Sequence, residues 1–129
     1  MSVGAALPEA VDIWSRSSRA MAALAKQSGA AYVHVLQPNQ YVSKKPMSPE
    51  EQRRAINPAR SGTEFLRVGY AKMRERGEEL KKQGIVFHDA SGIFGAVPEP
   101  VFADDCCHLN QTGNRLLAKD VAEVLAARR

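Results

Sequence analysis

The chain has 129 residues, of which 44% are hydrophobic and 25% charged, and its net charge is +4. That length suits one domain, 1–129, able to bury roughly two thirds of its unfolded surface, and the composition is that of a globular protein. A membrane-spanning class is excluded, because no apolar run approaches the roughly 20 residues that a helix needs to cross. Nucleic acid is not an expected partner, because the cations alternate with acids, as in Arg74-Glu75-Arg76, and no basic run is interleaved with aromatics.

The first seven residues, Met1 to Leu7, lack the positive start and apolar core of a signal peptide, so the chain as written is expected in the cytoplasm. Arg128 and Arg129 place charge at the other end. Pro8 fits the first turn of a helix, and Gly29 is a stop signal, which predicts a helix over 8–28. Val11, Trp14, Met21, Leu24 and Ala25 recur at helical spacing and form its expected buried face.

Ala31 to Leu36 is a β-rich, almost continuously apolar run, as expected of a strand covered on both faces in a parallel sheet. His34 inside it is expected to be a hydrogen-bonded structural histidine rather than a metal ligand. Gln37, Asn39 and Tyr41 follow at the strand's carboxyl end, where ligands bind in open α/β sheets. They are candidate substrate-binding residues, and a plain Pro-Asn turn explains the same residues equally well. Residues 42–62 form a long polar connection. Within it Ser48-Pro49-Glu50-Glu51 matches a capping box for a short helix ended near Pro58. Such a loop is either a lid or a surface excursion.

Thr63 is placed to cap the next helix. Leu66, Tyr70, Met73, Gly77 and Leu80 form its core stripe, and Gly84 ends it. Ile85 to Asp89 is the second strand, parallel to the first through a βαβ crossover. Pro98 and Pro100 keep the following loop extended. It leads into Asp104-Asp105-Cys106-Cys107-His108-Leu109-Asn110. Asn110 is a strong cap for a last helix over 111–127, with Leu117, Val121, Val124 and Leu125 on its buried face.

Asp105 stands three residues before His108. This spacing fits the acid and base of a serine-type triad, in which the carboxylate orients one ring nitrogen and the other accepts a proton from a hydroxyl. The same spacing occurs in ordinary solvated loops. The stretch FADDCCHLNQTGNRLLAKDVAEVL resembles the last motif block of the SGNH, or GDSL-type, hydrolases, where an Asp-x-x-His precedes the C-terminal helix. The resemblance implies an ester or acyl hydrolase acting on a small-molecule ester, with no cofactor and no metal. It assigns Asp105 and His108 as catalytic; Asp89, at its strand's carboxyl end, is the competing acid. It also implies an α/β fold, part of a three-layer α/β/α sandwich of flavodoxin-like kind. This chain would contribute two parallel strands, three main helices and one short one.

The family's other blocks are not found. There is no Gly-Asp-Ser, and Asn39 lies in Pro-Asn-Gln rather than Gly-x-Asn-Asp. Ser15, Ser17 and Ser18 fall inside the first helix, Ser48 is a cap, Ser61 and Ser91 precede glycines, and Ser2 is terminal. The chain is therefore expected to be the C-terminal half of such a domain, inactive alone, and prone to self-association through an exposed strand edge. The alternative is a non-catalytic binding fragment of α/β fold. A metal site of Cys106, Cys107, His108 and Asp104 or Asp105 fits poorly, because zinc ligands are usually spaced as Cys-x-x-Cys. Adjacent cysteines do not readily bond to each other, so free thiols or a partner outside the chain are expected.

Overall fold

The structure, a computed structural model, describes residues 3–127; the terminal arginines and the serine at position 2 lie outside them. Among the described residues there are four helices and one two-stranded parallel sheet. The elements run α1 (Val3–Gln27), β1 (His34–Leu36), α2 (Pro49–Ala55), α3 (Thr63–Lys82), β2 (Phe87–Asp89) and α4 (Gln111–Ala126). They fall into two compact units. One comprises Met1–Leu36 with Glu64–Asp89, the other Gln37–Thr63 with Ala90–Arg129. The chain leaves the first unit after Leu36 and after Asp89, at the carboxyl ends of its two strands.

In the first unit β1 and β2 pair in register His34 with Phe87, Val35 with His88 and Leu36 with Asp89. Each strand is three residues long, shorter than the runs at 31–36 and 85–89. Helix termination accounts for this. Gly29 and Gly84 adopt positive φ (+67° and +80°), and the next residues turn back on the helices. Ala30 N–H donates to Ala25 O at 2.8 Å and Ile85 N–H to Leu80 O at 3.0 Å, closing both helix ends, and the second bond takes the first N–H of the 85–89 run away from a longer ladder. Three of the six strand positions are half-buried, two are buried and one is exposed, so the sheet is not covered on both faces.

Helix α1 starts before Pro8, which lies inside it. Ala5, Ala6 and Leu7 are strong helix formers and carry the helix across the missing N–H. Its buried face is Val11, Ser15 and Ser18, with the Trp14 ring 4.3 Å from that of His34 and 6.0 Å from Phe87. Met21 and Leu24, expected in the core, are 53% and 58% exposed. Helix α3 buries Tyr70, Gly77 and Leu80 as its stripe predicts. The Phe87 ring lies directly over Gly77, where any Cβ would overlap it.

The second unit closes on Ala55, Phe94, Val101 and Phe102, with Met47, Ile93, Val97, Leu109 and Leu116 packed around them. Phe94 and Phe102 meet edge to face at 5.8 Å. Asn110 caps α4, its Oδ1 accepting from Gly113 N–H at 2.9 Å. Gly113 is the residue of α4 that is fully buried, and Leu125 is exposed. Phe102 and Leu109 form an antiparallel bridge, flanked by Ala103 N–H to His108 O at 2.8 Å and Asn110 N–H to Val101 O at 2.9 Å. These bonds make residues 101–110 a small hairpin with the acidic-cysteine-histidine stretch at its tip.

Candidate functional site

The hairpin tip brings a carboxylate onto His108, and the carboxylate is Asp104, not Asp105. Nδ1 of His108 lies 2.6 Å from Asp104 Oδ2. The other oxygen, Oδ1, accepts from the backbone N–H of Cys106 at 2.8 Å and of His108 at 3.4 Å. A spacing of four replaces the expected three because Cys107 takes φ +69°. That left-handed step curls the chain back, so the residue before Asp105 meets the ring. These bonds, the one to His108 first and that to Cys106 N–H next, hold the Asp104 carboxyl below its ordinary pKa. The imidazole is 70% exposed, and Nε2 makes no hydrogen bond among the described residues.

Asp105 is held elsewhere. Its Oδ2 accepts from Asn57 Nδ2–H at 3.0 Å. Its carbonyl accepts from Arg60 Nη1–H at 2.8 Å and from the Tyr41 hydroxyl at 3.2 Å. The same hydroxyl accepts from Asn57 N–H at 3.2 Å, and the Arg60 guanidinium sits 5.5 Å from the centre of the Tyr41 ring. Gln40 Nε2–H donates to Asp104 O at 3.1 Å and to Ala55 O at 3.2 Å. The loop between β1 and α3 is thus a cradle for the hairpin.

Its deepest contact is Glu51. Both Glu51 and Lys45 side chains are fully buried, with Lys45 Nζ 2.7 Å from Glu51 Oε2. Oε1 accepts from Val101 N–H at 2.7 Å and Phe102 N–H at 3.1 Å, anchoring the first arm of the hairpin. Burial raises the Glu51 carboxyl, but Lys45 and the two backbone donors outweigh it and hold the pKa below its usual value. The capping box is half realised: Ser48 Oγ accepts from Glu51 N–H at 3.1 Å, while the Glu51 carboxylate turns inward instead of back to the cap.

Of the three candidate substrate-binding residues, Tyr41 reaches the hairpin. Asn39 is buried in its own turn, its Oδ1 accepting from Tyr41 N–H at 3.0 Å, so the Pro-Asn turn accounts for it. Gln37 is exposed beside that turn. Asp89, the competing acid, pairs with Arg74 at 2.9 Å within the first unit. The His34 ring lies against Trp14, tilted by 49°, but its buried Nδ1 has no hydrogen-bond partner, contrary to expectation.

No family model, no curated protein and no solved structure matches this chain. The site therefore stands on its own geometry.

Cys106 and Cys107 are free thiols. Burial, then Cys106 and Asp104 nearby, push the Cys107 thiol above its ordinary pKa, the opposite of what an activated nucleophile needs. Among the described residues no group of three or more His, Cys, Asp or Glu is placed to hold a metal ion, and no helix is long and apolar enough to cross a membrane. A cleft of about 290 Å³ in the first unit is lined by Pro8, Val11, Lys72, Glu75, Arg76 and Glu79, none of them a site candidate. Ser15, Ser18 and Ser91 are buried, and no serine hydroxyl bonds His108 among the described residues.

Sequence reasoning missed Glu51, Asn57 and Arg60. Asn57 precedes Pro58, which disfavours helix and favours an extended or turning residue; that was the one local signal. Glu51 and Lys45 meet through folding, and no spacing rule links them.

Proposed function

We propose that this chain is the C-terminal part of a serine-type ester hydrolase of SGNH kind. In that reading it is part of a three-layer α/β/α sandwich and supplies the acid and base of the triad. The observation that carries the reading is the 2.6 Å contact of Asp104 with His108 Nδ1, which leaves Nε2 able to take a proton. His108 is then general base toward a serine hydroxyl and general acid toward the leaving alcohol. Asp104 fixes the ring and stabilises the imidazolium. The serine and the oxyanion donors come from outside this chain, and the substrate is a small-molecule ester. The acid lies four residues before the histidine, where the family has it three before, and the assignment moves from Asp105 to Asp104 accordingly.

The test joins the chain to a segment bearing a Gly-Asp-Ser block and follows hydrolysis of a short-chain aryl ester. Turnover is expected, with His108→Ala and Asp104→Asn each lowering it by about 10³-fold or more and Asp105→Asn changing it by no more than about threefold. Turnover retained in His108→Ala removes the assignment.

A second reading has one observation in its favour. Asp104 Oδ1 accepts two backbone N–H groups, so the carboxylate also closes the turn, and His108 could serve that closure alone in a binding fragment. A fluorophosphonate probe separates the two: the serine-bearing assembly is labelled under the first reading and unlabelled under the second.

A further inference from the structure

Asp104 and Asp105 are neighbours of the same chemistry, yet one meets the imidazole and the other does not. We propose that Asn57 is the positioning residue that makes this choice, holding the Asp105 carboxylate away from His108 so that Asp104 is its acid. The inference deepens the reading of Asp104 and His108 as a proton relay, and rests on it for its functional meaning.

The amide of Asn57 is fixed on both sides. Its Oδ1 accepts from Ala59 N–H at 3.0 Å, which turns Nδ2 toward Asp105 Oδ2 at 3.0 Å. Its own N–H donates to Tyr41 Oη, whose hydroxyl in turn donates to Asp105 O. Arg60 Nη1 takes the same carbonyl at 2.8 Å. Backbone and side chain of Asp105 are therefore both tied to residues 41–60. A carboxylate so engaged loses its bond to Asn57 if it swings to the ring, and the exchange gains nothing while Asp104 already occupies Nδ1. With the Asn57 amide removed, Asp105 is released to compete, and the ring has two acids instead of one.

The experiment is an NMR measurement, at fixed pH, of the His108 ring-nitrogen chemical shifts on the chain as it exists. In the wild type, Asp104→Asn is expected to move the Nδ1 chemical shift, because the acceptor 2.6 Å away is lost, and Asp105→Asn to leave it in place. In an Asn57→Ala background, Asp105→Asn acquires a measurable effect on that chemical shift, so the two positions are coupled in a double-mutant cycle. Should Asn57→Ala not fold, Asn57→Ser removes the amide with a smaller change. The proposal is overturned if Asp105→Asn shifts His108 as much as Asp104→Asn in the wild type, or if the cycle shows no coupling. No serine is needed for this readout. Its failure leaves the hydrolase reading standing, and a silent ester assay leaves this result standing.

Discussion

His34 and Glu51 are both titratable groups in packed surroundings, and acid weakens each at a different pH. Burial lowers the His34 pKa, so the unfolded chain takes up a proton first as pH falls. Stability of the first unit is then lost as pH drops below about 6.5 toward the folded value. Trp14 is the single tryptophan and lies on the ring, so its fluorescence reports the step. We expect the urea midpoint by Trp14 emission to fall between pH 7 and 5, and His34→Phe to remove most of that fall; an equal fall in the variant assigns it to another histidine. Glu51 behaves differently. Its folded pKa is below the unfolded one, so its contribution is complete at neutral pH and is lost as pH falls below about 4. Glu51→Gln should cost about 3–5 kcal/mol in urea unfolding, because the Lys45 ammonium is left buried without its partner. Replacing both, Lys45→Met with Glu51→Leu, should come much closer to neutral. A single variant as mild as the double would mean that the pair is hydrated and not buried.

Helix α3 depends on a missing side chain. Gly77→Ala gains about 1 kcal/mol of helix propensity, but the new methyl overlaps the Phe87 ring, and overpacking of that kind costs about 1–3 kcal/mol. The overlap should win, giving a net loss of about 1–2 kcal/mol by urea unfolding, and a stabilised Gly77→Ala would show that the ring moves freely. Gly113→Ala in α4 is the same case against a less yielding neighbour, since the Cβ would lie 2.6 Å from Val101 O. The helices themselves were legible: Gly29, Gly84, Ser48 and Asn110 mark their ends because capping is local chemistry. The orientation of α1 was not. Met21 and Leu24 fall off the face of Val11 when the helix is wound at its true pitch, and the buried face includes Ser15 and Ser18, which hydropathy discards. The choice of Asp104 over Asp105 was hidden for another reason. It depends on a left-handed Cys107 and on Asn57, nearly fifty residues away in sequence, and neither leaves a trace in the Asp-x-x-His spacing.

At the scale of the whole chain the two units differ in how much they leave unfinished. The second has a buried core built on Phe94 and Phe102 and a hairpin closed by the Phe102–Leu109 bridge. The first rests on two strands of three residues each, with no further strand among the described residues. A two-stranded sheet is marginal in water, and the edges of a sheet are where another chain adds by strand pairing. The same unit exposes Ile13, Met21 and Leu24 on α1 and Phe65 and Val68 on α3. Single exposed apolar residues are ordinary, but here they accompany a sheet of two short strands. We therefore expect the purified chain to self-associate, its weight-average mass by light scattering rising with concentration. A lysine in place of Val33, beside the start of β1, should oppose edge pairing and lower that rise. It should leave the His108 ring-nitrogen chemical shifts unchanged, because the Asp104 contact is made within the second unit. Hydrogen exchange gives an independent check: the amides of Val101, Phe102 and Asn110 should outlast those of Val35 and Leu36. A concentration-independent monomer that melts in one cooperative step, with the β1 amides as slow as the hairpin's, would mean that the two short strands already make a finished sheet.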